Sequence, residues 1–192
     1  MTQLDDLLGR IVAQLNQLRI PYHVGGSFAS SFHGVPRTTA DLDLVIEVDP
    51  ERLDALAAAL ERDFYVNRQA MLEAVREQRS FNAILLDGSF KVDFFIRGRR
   101  AFDIEEFRRA RPQQIREDGS LEVRLKSPED LILRKLEWLE AGGGQSERQW
   151  RDVLGVMRVM EGRLDQAYLE RWAAELGVAS LLERARAEAK RA

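Results

Sequence analysis

Three aspartates and a glycine-serine turn are the residues in this sequence whose types and spacing could do chemistry. Asp41 and Asp43 stand two apart in "DLDLVIEV", and a strand projects residues two apart from one face, with Cα atoms roughly 6.5–7 Å apart. Two carboxylates so placed repel each other unless a cation lies between them. Hard divalent ions such as Mg²⁺ take oxygen ligands and are commonly held by one or two carboxylates together with substrate phosphates, and Mn²⁺ suits the same donors. The dyad therefore predicts a metal-phosphate site. Ahead of it, "VGGSF" supplies Gly25, Gly26 and Ser27. Residues without side chains let a phosphate approach main-chain N–H groups, and a serine adds a hydroxyl donor. Asp93 sits among Val92, Phe94 and Phe95 in a strand-like run, where aspartate is depleted, so a third metal ligand is expected there. Three carboxylates could hold two ions about 3.5–4 Å apart, one lowering the pKa of an attacking hydroxyl and the other stabilising a leaving pyrophosphate. That chemistry is nucleotidyl transfer. Arg37 and Thr39 flank the dyad in "PRTTA", where contact with phosphate and a local salt bridge or turn bond are equally good readings.

The elements that must position these residues are legible around them. Leu4, Leu7, Leu8, Ile11, Val12, Leu15 and Leu18 recur at helical spacing ahead of Pro21, predicting an amphipathic first helix. "PYHV" reads as a short strand, "FASSF" as a short turn or helix, and "DLDLVIEV" as a strand with Leu42, Leu44, Ile46 and Val48 on its apolar face. "DPERLDALAAAL" follows with Asp49 as N-cap and Pro50 at the first helical position, a strand-to-helix crossover directly after the dyad. "FNAILL" and "SFKVDFFI" flank Asp87-Gly88, a dipeptide favoured in two-residue hairpin turns. "SLEVRL" is a further strand after Asp118-Gly119, and "SPEDLILRKLEWLEAGGG" is a helix with Ser127 as N-cap, Pro128 next and glycines at its end. From Glu147 onward the pattern is helical, broken near Gly162 and Gly177. The fold class expected is α/β (α+β): a mixed β-sheet flanked by helices, with a helical C-terminal portion. The division expected is a core over 1–126 and a helical portion over 127–192 packed on it.

Composition narrows the classes. At 192 residues the chain is long enough to bury a hydrophobic core. With 45% hydrophobic and 32% charged residues it is too apolar to be disordered. The absence of cysteine removes disulfides, a thiol nucleophile and thiolate zinc sites, leaving His23 and His33 as the imidazoles, so a reducing cytoplasm is the expected location. No apolar run approaches the roughly 18 residues of a membrane span, and "MTQLDDLLGR" lacks a basic leader region, so no membrane partner is expected. A net charge of −3 argues against a general polyanion binder.

Taken in order, Val24, Gly26, Ser27, Asp41, Asp43 and Asp93 resemble the DNA polymerase beta-like nucleotidyltransferase superfamily. "VGGSFASSFHGVPRTTADLDL", "SPEDLILRKLEW" and "RQWRD" more closely resemble minimal AbiEii-type nucleotidyltransferases, many of them toxins of toxin–antitoxin or abortive-infection systems. The resemblance spans roughly Leu18 to Trp172. It implies a nucleotidyltransferase-type sheet and a nucleoside triphosphate substrate with Mg²⁺ or Mn²⁺ as cofactor. It implies an acceptor such as tRNA or a protein, and a cognate antitoxin as partner. It also matches Asp130 and Lys135, an acid and a lysine five apart, and Arg148 with Asp152. From this, Lys135 is expected to contact nucleotide phosphates and Asp152 to belong to the surroundings of the active site. The residue immediately before that last acid, basic in the family, is Arg151.

Plainer readings stand beside these. "DLDLV" also fits the nucleophile motif of haloacid dehalogenase-like phosphatases, although those aspartates follow a buried apolar strand and "PRTTA" precedes these. A catalytically silent member acting as a binding partner or antitoxin is the non-enzymatic alternative. His33 is expected to make loop hydrogen bonds, His23 to pack in a strand, and Trp138, Trp150 and Trp172 to fill the core. The seven arginines against three acids from Arg97 to Arg116 read either as a surface for RNA phosphates or as a solvated helix face with internal ion pairs.

Overall fold

The computed structural model describes residues 3–88, 90–143 and 146–190. It divides into two compact units, the first made of the chain up to Gly26 with Thr39–Leu125, the second of Ser27–Thr38 with the chain from Lys126 onward.

The first unit begins with α1 (Gln3–Gln17), whose Leu7, Leu8, Ile11, Val12 and Leu15 are buried as the helical spacing predicts. Strand β1 (Tyr22–Val24) leads through Gly25 into α2 (Gly26–His33), most of which lies in the second unit. Strand β2 (Asp41–Ile46) is followed by α3 (Pro50–Leu60), where the Asp49 side chain accepts from Arg52 N–H, the N-cap expected of "DP". Then come β3 (Phe64–Val66), α4 (Arg68–Glu77), β4 (Ser80–Leu85), β5 (Lys91–Ile96), α5 (Ala101–Arg109), β6 (Arg111–Gln114) and β7 (Glu122–Leu125). The strands form one mixed sheet in the order β3-β4-β5-β2-β1-β7-β6. β2 runs parallel to β5 and antiparallel to β1. Along β2 and β5, Leu42, Leu44, Ile46, Val92, Phe94 and Ile96 are buried while the residues between them are half-buried. This alternation holds one face to the core. Phe81 stacks on Phe94 there, ring centroids 5.0 Å apart.

β4 and β5 pair antiparallel on either side of Asp87-Gly88, as the sequence predicts, but the connection is longer than two residues. The ladder ends at Ile84↔Lys91, with Leu85 N–H donating to the Phe90 carbonyl. β6 departs from the sequence pattern because "RPQQ" has no apolar alternation. It lies at the sheet's end, where Pro112 is tolerated in an edge strand.

The second unit contains α6 (Pro128–Ala141), α7 (Glu147–Val159), α8 (Gln166–Glu175) and α9 (Ala179–Ala189). Ser127 caps α6 as its sequence predicts: its Oγ accepts from Asp130 N–H and donates to Asp130 Oδ2 at 2.6 Å. Fully buried Asp130 also accepts from the Tyr168 hydroxyl at 2.5 Å, tying α6 to α8. Leu136, Val153, Val156, Leu169, Trp172 and Leu182 are buried among these helices. Trp172 is a core residue as expected, Trp138 is exposed on α6, and Trp150 is half-buried beneath the Arg184 guanidinium. No helix among the described residues is long and apolar enough to cross a membrane.

Candidate active site

In the first unit the carboxylates are placed by register. β2 and β5 pair Asp41 with Lys91 and Asp43 with Asp93. Because Leu42 and Val92 point into the core, Asp41, Asp43, Lys91 and Asp93 all stand on the opposite, half-exposed face. Three carboxylates expected to act together thus arise from two neighbouring strands. β1 continues the arrangement on the other side, with Val24 opposite Leu44 and the Gly25 N–H donating to the Asp43 carbonyl at 2.8 Å. Gly26 then adopts φ +53°, and a Cβ there would lie 1.8 Å from Asp43 Oδ2. The glycine is required by both its backbone conformation and the carboxylate packed against it. Thr39 shapes the entry to β2, its Oγ1 accepting from Asp41 N–H at 3.3 Å and donating to the Asp41 carbonyl at 3.2 Å.

Among the described residues, no group of three or more His, Asp or Glu side chains is disposed so that it could hold a metal ion as it stands. A cation is nevertheless present: Lys91 Nζ lies 2.8 Å from Asp93 Oδ2. That hydrogen bond raises the lysine pKa against some desolvation, and the charges of Asp93, Asp41 and Asp43 add to the rise. The donor set fits a hard divalent ion, being all carboxylate oxygen on one face with an ammonium already attracted to it.

In the second unit Asp152 joins the residues the sequence singled out. Its Oδ1 and Oδ2 accept from Arg37 Nε at 2.8 Å and Nη2 at 2.9 Å, a bidentate pair, and Oδ2 also accepts from Lys135 Nζ at 2.9 Å. Burial opposes ionisation of Asp152, but the hydrogen bonds from Arg37 and Lys135 outweigh it and hold the carboxyl below its ordinary value. Arg37 Nη2 also donates to Ser27 Oγ at 2.6 Å, and Arg148 Nη2 reaches the same oxygen at 3.4 Å. The Ser27–Thr38 segment is brought close to α7 at Gly34, where a Cβ would meet Val156 N at 2.8 Å. Three cations and one carboxylate give this cluster a net charge of +2, suited to a phosphate.

Arg37 forms a salt bridge, with Asp152. Of the two arginines near Asp152, Arg148 faces Ser27, whereas Arg151 is exposed and pairs with Glu147 one turn earlier. His33 closes α2 with Nε2 2.9 Å from the Lys126 carbonyl, and burial lowers its pKa. His23 is fully buried with its ring 5.4 Å from Phe107. In the arginine-rich stretch, Arg97, Arg100, Arg108 and Arg116 pair with Glu47, Asp103, Glu105 and Asp6, so internal ion pairing accounts for much of the excess. Sequence reasoning passed over Lys91. Its signal was present in "KVDFF", where period two puts the lysine on the same face as Asp93.

Solved structures share this architecture. ANT(2")-Ia in complex with adenylyl-2"-tobramycin aligns with a TM-score of 0.58 at 18% identity, over 91% of this chain and 97% of that one. A nucleotidyltransferase-like antigenic protein from Paracoccidioides brasiliensis aligns with a TM-score of 0.55 at 18% identity, over 94% and 91%. The fold is that of a nucleotidyltransferase. No curated protein has a sequence that matches the chain. Residues 10–189 match the family described as nucleotidyl transferase AbiEii toxin, type IV toxin–antitoxin system, and the chain belongs to that family. Family and fold together support transfer of a nucleotidyl group.

Proposed function

We propose that the protein is a metal-dependent nucleotidyltransferase of the cytoplasm, moving a nucleoside monophosphate from a triphosphate to an acceptor hydroxyl. The oxygen of that hydroxyl attacks the α-phosphorus, the bond from the α-phosphorus to the bridging oxygen breaks, pyrophosphate departs, and the hydroxyl proton is released. The observation that carries this reading is the pairing of Asp43 with Asp93 on one sheet face, Asp41 beside them, in a chain of a nucleotidyltransferase family. Asp41, Asp43 and Asp93 would together hold Mg²⁺ or Mn²⁺ through their carboxylate oxygens. When bound, the ion would supply charge neutralisation at the phosphates and a lowered pKa for the attacking hydroxyl. Gly26 offers its backbone and Ser27 its hydroxyl to the triphosphate, Gly25 holds the turn against β2 through its N–H bond to the Asp43 carbonyl, and Thr39 keeps the first aspartate in place. Lys135 and Arg37 neutralise phosphate charge, and Asp152 orients both cations.

The acceptor is an RNA such as tRNA or a protein, and the activity serves as the toxin of a pair with a cognate antitoxin. Because a relative of similar fold is described in complex with a nucleotidylated small molecule, small acceptors belong in the same test. The protein is incubated with each labelled triphosphate, Mg²⁺ or Mn²⁺, total RNA and cell lysate, and the labelled species is identified. Label should enter one acceptor class and disappear with Asp41→Asn. Full turnover by that variant, or no transfer from any triphosphate with either ion, overturns the reading.

A further inference from the structure

We infer that Lys91 is the internal counter-ion of the carboxylate cluster, occupying Asp93 when no divalent ion is bound and having to leave it for an ion to enter. The inference rests on the metal-binding role proposed above for Asp41, Asp43 and Asp93. It begins from placement. Lys91 pairs with Asp41 across β2 and β5 and lies two residues before Asp93 on the same face, so its ammonium stands within the field of Asp93, Asp41 and Asp43. Its Nζ is 2.8 Å from Asp93 Oδ2. Strands sit about 4.8 Å apart and same-face neighbours about 6.5–7 Å apart, so three ionised carboxylates here need positive charge among them. With Lys91 the four side chains carry a net charge of −2, and without it −3.

The stem is free enough for the exchange. Lys91's side chain is 39% exposed and Asp93's 21%, and lysine is a point charge on a flexible four-carbon chain rather than a fixed fork. Asp93 is thus already engaged by a cation from the chain itself. Lys91 is in this sense a positioning residue, setting how readily the acids accept a metal.

The test titrates Mn²⁺ alone, without nucleotide, into the full chain and follows the free-ion signal by electron paramagnetic resonance. Lys91→Gln should bind Mn²⁺ at least about fivefold more tightly than wild type, the effect of two unit charges about 4 Å apart in water and so a floor for a divalent ion. Lys91→Arg, which keeps the charge, should not gain that affinity. Thermal unfolding with chelator gives a second readout: Lys91→Gln should melt cooperatively, and Mn²⁺ should raise its Tm more than that of wild type. Unchanged or weaker affinity in Lys91→Gln, including no binding at all, overturns the inference. Asp43→Asn in the same titration separates the two levels. If Asp43→Asn loses Mn²⁺ while Lys91→Gln matches wild type, only the role of Lys91 fails. If Asp43→Asn binds as wild type does, the metal reading of the site fails with it.

Discussion

Gly26→Ala isolates the contact between the glycine turn and Asp43 of β2. Gly26 has φ +53°, and an added Cβ would lie 1.8 Å from Asp43 Oδ2, 2.4 Å from its Cγ and 2.7 Å from its Cβ. The left-handed conformation costs a non-glycine residue about 1–2 kcal/mol. Rotating the Asp43 carboxylate away relieves the first two clashes but not the third, because that Cβ is fixed to the β2 backbone. Overpacking of this kind costs about 1–3 kcal/mol, so the total is about 2–5 kcal/mol. Gly119→Ala is the matched control: Gly119 has φ +72° and nothing within 4 Å of its added Cβ, so it bears the left-handed cost alone. Urea unfolding followed by tryptophan fluorescence, at constant m-value, measures both. Gly26→Ala should be the more destabilising by about 1–3 kcal/mol, and its Mn²⁺ affinity should fall because Asp43 has been displaced. If the two alanine variants lose equal stability, the turn is not packed on Asp43 and the argument from the glycine fails.

Asp152→Asn should destabilise at neutral pH toward the lower end of the about 3–5 kcal/mol typical of a broken buried pair, since Arg37 is a quarter exposed. Because the folded carboxyl is held below its ordinary value, its contribution is complete above the unfolded-state pKa of about 4 and is lost as pH falls through the lower folded value. The wild-type and Asp152→Asn unfolding curves should therefore converge in strong acid, and a gap that persists there refutes the assignment. Asp41→Asn and Asp93→Asn should each lower labelled transfer more than about a hundredfold, with melting temperatures near wild type because both side chains are half-exposed; a chelator should abolish wild-type transfer and Mg²⁺ or Mn²⁺ restore it. Tyr168→Phe removes the hydroxyl donated to buried Asp130 and should cost about 1.5–3 kcal/mol by urea unfolding; a change below 0.5 kcal/mol, within the scatter of surface substitutions, speaks against that bond.

Features set by neighbours in sequence were the readable ones. The caps at Asp49-Pro50 and Ser127-Pro128 form as read, because each cap bond spans only four consecutive residues. The alternation in "DLDLVI" and "KVDFFI" was enough to put the three aspartates on polar faces. Pairings over long separations were not readable. Arg37 lies 115 residues from Asp152, and nothing local to "PRTTA" distinguishes a phosphate ligand from a salt-bridge partner. Arg148 and Arg151 look equivalent in "RQWRD", yet their positions around α7 send one toward Ser27 and the other to Glu147. β6 escaped notice because an edge strand needs no apolar alternation, and Lys91 because a lysine opening a strand ordinarily reads as solvated.

The apolar residues of β2 and β5 bear on the chemistry as much as the acids do. A strand's side chains alternate with period two, so a one-residue slip of β5 against β2 would send Asp93 into the core and Val92 or Phe94 out to solvent. Val92 and Phe94 are fully buried, opposite Leu42 and Leu44 in register, and exposing them would forfeit about 1.5–3 kcal/mol each, before any charge is buried. The same burial that stabilises the sheet therefore fixes which acids stand opposite one another, and it puts Lys91 beside them by the same rule. A substitution that weakened this apolar ladder should consequently reduce metal affinity without touching a carboxylate.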